Sequence, residues 1–517
     1  MTTDHRLPTP TQPRRRALLA AALAAGTAPA WLRHARAGDT PRFEQGVASG
    51  YPRPDGMVLW TRLTGEGLPE RVPVQWELAQ DEGFAHVVAR GTDMAEAAWA
   101  HSIHAEPRGL APGRWYFYRF TALGQRSRTG RTRTAPAPDA MEPLQFAIAS
   151  CQRYDTGRYA AWAHAAREAL DLVLFLGDYV YEYPWLPWAL RPHPGGYARS
   201  LDDWRTRYAT YQRDSQLQDV HAACPWMLIW DDHEVANDYT GLNGGERGFA
   251  ARRADAYQAY WEHLPLPQAM RPRRDVPGGA LPLHGAHDWG ALARVLMLDG
   301  RQHRDTLACP TWNGGAGRTS RRDCSALDDP RRSFLGMAQE AWLARSWDME
   351  RPWNLLAQTT LLSRFAWSDP TGGPERMAVW NDGWDGYAPA RARLLSGIAA
   401  RRLPGAVVLG GDLHGHYVAD VKADFDDPRS ATLASEFVTT SISSPGKDQE
   451  RIDTALRFNP HIQLARTQRR GYVRGQLDAR RLQMRLMDVQ DFADAASPLA
   501  VHARYVVESG RPGAQRD

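Results

Sequence analysis

The chain has 517 residues, 43% apolar and 24% charged, a mix with ample core that excludes global disorder, collagen and coiled coil. No run of about 20 apolar residues occurs outside the N-terminus, which excludes a polytopic membrane protein. The formal charge is +4, but removing residues 1–37, which hold six arginines and Asp4, leaves 57 basic and 58 acidic residues, so nucleic-acid binding by bulk charge is not expected.

The chain opens on an export signature. Arg14, Arg15 and Arg16 precede an Ala/Leu-rich run to about Ala30, and Ala35-Arg36-Ala37 offers small residues for a signal peptidase. A signal peptide over residues 1–37 is expected, with the adjacent arginines favouring the twin-arginine (Tat) export machinery and a periplasmic or secreted product. After cleavage no stable membrane span is expected, and the chain reads as a monomer. Of the four cysteines, Cys309 and Cys324 flank a Gly-rich loop and form the favoured pair in an oxidising compartment. Cys224 reads as a buried structural thiol.

Residues 42–137 carry short strands such as Val58–Leu63, Val72–Leu78, His86–Gly91 and Trp115–Ala122, separated by Gly/Pro clusters. That spacing, with alternating side chains, predicts a β-sandwich. From about residue 142 to 507 the style changes to apolar runs alternating with Arg/Ala-rich helical stretches: Leu144–Ala149, Leu172–Leu176, Trp226–Trp230, Val295–Leu298, Leu355–Thr359 and Ala406–Leu409. Such runs are strands buried on both faces, so this part is an α/β layered domain.

The chemistry stands at the ends of these strands. They are followed by Ser150-Cys151-Gln152, by Gly177 to Glu182 with Asp178 and Tyr181, by Asp231-Asp232-His233-Glu234 with Asn237 and Asp238, and by Gly411-Asp412-Leu413-His414. Ligands in open α/β sheets bind beyond the carboxyl ends of strands, so these loops should converge. Each piece alone has an ordinary explanation: a capped turn, a solvated acidic loop, a small buried thiol, a packed ring. Four strand ends bearing carboxylate, imidazole, amide, phenol and thiol together make a metal-ligand inventory of hard and softer donors.

With these motifs, and with Gly46 to Gly50, Val58 to Arg62, Asp299-Gly300-Arg301-Gln302, Asp382 to Tyr387 and Ser441 to Gly446, nearly the whole mature chain resembles the PhoD-type alkaline phosphatases and phosphodiesterases of the calcineurin-like metallophosphoesterase superfamily. One departure is Tyr51, where the family commonly has Asp. The resemblance implies a metallophosphoesterase-type α/β sandwich preceded by a fibronectin-III-like β-sandwich. It also implies an Fe(III) and Ca²⁺ centre that hydrolyses phosphate mono- and/or diesters at alkaline pH by a metal-bound oxygen nucleophile. Cys151, Asp178, Tyr181 and His414 match the iron side, with Asp178 bridging; Asp412 matches the calcium side. Asp232 and Asn237 both remain candidates there. His233 is expected to face the phosphoryl group, with Arg301 as a second positive partner. Thiolate and phenolate suit Fe(III), and carboxylate and amide oxygens suit Ca²⁺.

A phosphodiesterase or phospholipase D acting on lipid or cell-wall polymer diesters is the alternative within the same chemistry. A serine hydrolase would need a Gly-x-Ser-x-Gly elbow, and none occurs. A non-catalytic periplasmic binding protein would account for the 20 tryptophans but not for the converging ligands. The Pro184-Trp185-Leu186-Pro187-Trp188 run reads equally as a lid or as packing.

Overall fold

Runs such as Leu144–Ala149 and Leu172–Leu176 are apolar on both strand faces, so they are stable only when both faces are covered. The computed structural model describes residues 42–185, 187 and 189–517 and places these runs at the centre of a two-sheet sandwich. The signal segment, and Leu186 and Trp188 of the proline-rich run, lie outside the described residues.

The first sheet contains β1 (Val47–Arg53), β2 (Gly56–Arg62), β3 (Ser102–Ala105), β4 (Leu144–Ala149), β5 (Leu172–Leu176) and β6 (Trp226–Ile229). The second contains β7 (Gly285–Trp289), β8 (Ala293–Met297), β9 (Trp353–Ala357), β10 (Ala406–Gly410), β11 (His416–Lys422), β12 (Thr432–Val438) and β13 (Ile462–Arg466). The chain then returns to the first sheet with β14 (Arg470–Leu477), β15 (Arg481–Val489), β16 (Leu499–Glu508) and β17 (Arg511–Arg516). The orders are β17-β16-β15-β14-β4-β5-β6-β1-β2-β3 and β7-β8-β9-β10-β12-β11-β13. In the first sheet β4, β5, β6 and β1 run parallel. In the second, β8, β9, β10 and β12 do. One apolar cluster joins the sheets, with Phe146, Phe175 and Trp226 from the first and Met297, Leu355, Leu409 and Phe437 from the second.

Helices lock the strand ends from outside. In α1 (Leu201–Gln212) the Ser200 side chain accepts from the Asp203 N–H while Asp203 accepts from the Ser200 backbone, a reciprocal cap that fixes where the helix starts. In α2 (Phe249–His263) Tyr257 stacks on Trp230, centroids 4.1 Å apart, and so braces the end of β6.

The N-terminal sandwich is present, but it shares a sheet with its neighbour. Strands Arg71–Ala79, Val87–Glu96 and Trp115–Ala122 form one layer, and Val72, Leu78 and Phe120 pack on Met57, Leu59 and Ile103. The opposing layer is β1, β2 and β3, which continue the ten-stranded sheet through Gly50 opposite Trp226. The change of style near residue 140 therefore marks no physical gap, and residues 42–517 form one compact unit. Without β1, the edge of β6 would carry unpaired backbone groups. Tyr51, the departure from the family pattern, is buried in this seam and donates its hydroxyl to the Leu228 carbonyl at 3.0 Å.

Candidate metal centre

The parallel strands end on one side, so the loops after β4, β5, β6 and β10 meet as expected. Their turns are unusually sharp. Cys151, Asp178, Asp238, Asp412 and His414 all adopt left-handed backbone, with φ of 57°, 59°, 59°, 62° and 53°. For residues with a Cβ this costs of order 1–3 kcal/mol each and persists only where the surroundings over-determine it. Here they do. The Cys151 N–H donates to the Gly177 carbonyl at 3.0 Å and the Gln152 N–H to that of Asp178 at 3.1 Å, stitching two of the loops together. The Ser444 hydroxyl donates to the Cys151 carbonyl at 2.8 Å. Buried Glu234 accepts the backbone N–H groups of Asp178, Tyr179 and Asp231, pinning the β5 and β6 turns to each other.

Three groups of ligand atoms result, each gathered within 4.8 Å: Cys151 with Asp178 and His414, Asp178 with Asp232 and His233, and Asp232 with Asp238 and Asp382. They form a chain that shares Asp178 and Asp232. Tyr181 belongs to the first group, since its hydroxyl donates to Asp178 at 2.9 Å and lies 3.3 Å from His414 Nε2. His414 Nδ1 bonds the Pro445 carbonyl at 2.7 Å, which makes Nδ1 the N–H and leaves the Nε2 lone pair turned toward the group. Burial, with the positive charges of Arg470 and Lys447, holds that imidazole down to about 3, so it stays a neutral donor. Burial pushes the Cys151 thiol up, reinforced by Asp178.

The acidic side has its own logic. Burial raises the Asp178 carboxyl well above its usual range; His233 opposes that rise, while Asp232, Glu234 and Asp412 add to it. Asp231 is raised likewise by burial, against the pull of Arg301. Asp178 Oδ1 and Asp231 Oδ2 are buried with no hydrogen-bond partner. Crowded, buried and partly unpartnered carboxylate oxygens beside a thiol and two imidazoles are what bound cations would satisfy, so the residues fit a metal centre.

The remaining sequence candidates fall into distinct places. His233 Nδ1 lies 2.7 Å from Glu182 Oε2 and its ring packs on Tyr181 at 4.2 Å, which leaves Nε2 for a ligand. Asp412 accepts from the Thr360 hydroxyl at 2.8 Å and shares a recess with Lys447, Trp367 and Trp380. Asn237 is exposed on a neighbouring cleft, and its backbone N–H donates to Glu182 at 2.8 Å. Arg301 is placed otherwise than the sequence suggested. It is 3% exposed, with Nε on Asp231, a fork on Asp382 at 3.0 and 2.7 Å, and Asp232 at 3.7 Å. Its donors are committed to carboxylates, so it clamps the acidic side instead of facing the phosphoryl group. Three burdened carboxylates attract a guanidinium more strongly than a solvent-facing cleft does.

Sequence reasoning missed Asp382 and Asp238 as members of the ligand-type groups and Glu182 and Glu234 as supports. Asp382 is far in sequence from all four strand ends, although it meets Asp232 in space, and only the Asp382-Gly383-Trp384 motif marked it. Asp238 was visible six positions after Asp232, a spacing that closes when the Asp238 N–H donates to Asp232 Oδ2 at 2.7 Å.

Comparison with known proteins decides the family. Residues 146–486 match the model of the PhoD-like phosphatases, and residues 26–136 match that of their N-terminal domain. The chain belongs to the PhoD-like phosphatase family. It is 40% identical over 452 residues to alkaline phosphatase D of Bacillus subtilis (strain 168), covering 84% of this chain and 75% of that one. It superposes on a solved PhoD structure with a TM-score of 0.86 at 36% identity, covering 93% of both chains. A purple acid phosphatase from yellow lupin (Lupinus luteus) seeds shares the fold at a TM-score of 0.53 and 12% identity, over 90% of this chain and 74% of that one. This PhoD-like phosphatase is thus a phosphoesterase on a metallophosphoesterase fold.

Proposed function

We propose that the chain is an exported phosphoesterase that hydrolyses phosphate mono- and/or diesters at alkaline pH with Fe(III) and Ca²⁺. The observation that carries this reading is the difference between the two ends of the ligand chain. Cys151, Asp178, Tyr181 and His414 offer sulfur, phenolic oxygen and nitrogen, a set suited to Fe(III). Asp232, Asp238 and Asp382, with Asp412 nearby, offer only hard oxygens, a set suited to Ca²⁺. When bound, such cations supply Lewis-acid polarisation of the phosphoryl group and acidify water.

The chain's own residues supply the rest. His233, held by Glu182, presents Nε2 to the substrate and donates to a phosphoryl oxygen. Exposed Lys447, in the recess of Asp412, adds positive charge against the phosphate. Arg301 offsets part of the negative charge that Asp231, Asp232 and Asp382 bring together, so that the crowded carboxylates can stand side by side. The strained turns fix the ligands before the substrate arrives, which spares reorganisation during the reaction.

The test is hydrolysis of a chromogenic monoester and diester by purified protein, with elemental analysis and a visible spectrum. Iron and calcium should both be found, EGTA should abolish turnover, and Ca²⁺ should restore it. A charge-transfer band should accompany the iron and shift in Tyr181→Phe. Full activity after exhaustive chelation, without iron or calcium, sinks the metal assignment. Export through the twin-arginine machinery is supported by Arg14, Arg15 and Arg16, and normal delivery of the triple Lys variant would contradict it.

A further inference from the structure

Two recesses touch the acidic side, and they differ greatly in size. The one shared by Asp412 and Lys447 is about 40 Å³. That is room for on the order of one or a few waters. The other is a cleft of about 700 Å³, inside the ~300–1,000 Å³ range of small-molecule sites. It opens directly from the centre, because Asp238 belongs both to its wall and to the group with Asp232 and Asp382. An ester arm larger than a few atoms, leaving a phosphoryl group at that centre, has this cleft as its exit.

The far wall is the loop closed by the Cys309–Cys324 disulfide. At its tip Trp312 is 98% exposed, far more than any other large apolar side chain among the described residues. The tip is nonetheless held. The Thr311 N–H donates to the Gly315 carbonyl at 2.9 Å and the Gly314 N–H to that of Thr311 at 2.8 Å, with Gly314 at φ +85° closing the turn. The Ala316 N–H donates to Asp238 Oδ2 at 2.9 Å, and the Gly317 N–H to Asn381 Oδ1 at 2.7 Å, one residue before Asp382. The indole is therefore carried on a brace anchored to the ligand-bearing segments. An unpacked indole on a braced loop serves a ligand better than it serves the fold.

The rest of the lining narrows the ligand. It offers the side-chain amides of Asn237 and Asn243 and the hydroxyl of Thr306, while that of Thr311 donates within its own turn, and the lining holds no Lys or Arg. A second phosphate would find no cationic partner there, which disfavours oligonucleotides and nucleoside di- or triphosphates. Neutral amides pair with the edges of heterocycles, hydroxyls pair with those of a pentose, and an indole stacks on a flat ring.

We propose that this cleft is the leaving-group subsite, that Trp312 is its specificity-determining residue, and that it takes the nucleoside of a nucleoside monophosphate ester. The proposal rests on the phosphoesterase reading and deepens it. The holoenzyme is assayed with adenosine 5′-monophosphate, glycerol phosphate and a hexose phosphate, as wild type, Trp312→Ala and Trp312→Phe. In Trp312→Ala the ratio of kcat/KM for the nucleotide over glycerol phosphate should fall about tenfold or more, and Trp312→Phe should restore most of it. Adenosine alone should compete with glycerol phosphate, and its inhibition constant should weaken by a similar factor in Trp312→Ala. An unchanged ratio, or an equal or larger fall for the hexose phosphate, overturns the nucleoside assignment. Wild type that hydrolyses glycerol phosphate yet is not inhibited by adenosine overturns the subsite alone; wild type that hydrolyses none of the esters overturns the phosphoesterase reading and the subsite with it.

Discussion

Replacing Arg301 with Met separates a clamp from a substrate contact. Met keeps much of the volume but removes the charge, leaving Asp231 and Asp382, 1% and 6% exposed, facing each other beside Asp232. Removing one partner of a buried ion pair costs about 3–5 kcal/mol, because the other charge stays buried. Arg304 still pairs with Asp382, so the lower end, about 3 kcal/mol, is expected. That is a large share of the ~5–15 kcal/mol that holds a domain together. Urea unfolding at neutral pH in the presence of chelator, followed by tryptophan fluorescence, reads it out. Adding Asp382→Asn to Arg301→Met should cost less than the two single losses combined, with an interaction energy of about 1–3 kcal/mol. A variant that loses under about 1 kcal/mol of stability but more than about 4 kcal/mol of transition-state stabilisation, roughly a thousandfold in kcat, would place the guanidinium on the substrate and refute the clamp.

Glu182→Gln should lower metal affinity or kcat/KM by about 10–100-fold without unfolding the chain, since Glu182 orients His233 and anchors the Asn237 turn; wild-type kinetics and metal content would show that His233 needs no such support. His104 is buried neutral, stacked on Trp261 at 3.8 Å and bonded through Nδ1 to the Leu266 carbonyl, and burial, helped by Arg271, holds it down to about 3. The unfolded chain binds that proton below about 6.5 and the folded chain does not, so stability should fall as pH drops from about 6.5 toward 3, on the order of 4 kcal/mol for this group. His104→Gln should flatten that part of the curve, and an unaltered acid limb would remove His104 from the explanation. Cys309→Ser with Cys324→Ser opens a fifteen-residue loop and should cost about 3 kcal/mol against chemical denaturation; a loss under about 0.5 kcal/mol would mean that the backbone brace at Ala316 and Gly317 fixes the loop unaided.

Much of this architecture could be read from patterns that physics makes redundant. Leu144–Ala149 and Leu172–Leu176 appear in the structure with the expected ends, because strands buried on both faces leave unbroken apolar runs. The loops that follow them were legible for the same reason, since ligand-type residues directly after a buried strand have little structural excuse. Arg301 was misjudged because its role depends on which carboxylates reach it through space, and Asp231, Asp382 and Arg301 lie far apart in the chain. The shared sheet was hidden because pairing between Gly50 and Trp226 leaves no trace in either segment's periodicity. Trp312 carried no local signal, as an indole in a Gly-rich loop reads the same whether packed or bare.

The strand order of the larger sheet also sets when this protein can fold. Strand β4, which delivers Cys151, lies between β5 and β14, with Ile148 opposite Val473. On a ribosome, everything up to Arg466 would be made while one side of β4 waited for its neighbour. Local hairpins such as β1–β2 can close early, but the central pairing is among the most non-local a chain of this length allows, and such contacts form slowly. A nascent or C-terminally truncated chain would present a bare apolar strand edge in a half-built sheet, a template for association with other copies. Loss of residues 470–516 should therefore yield aggregates and not a smaller working enzyme, although none of those residues contributes a ligand.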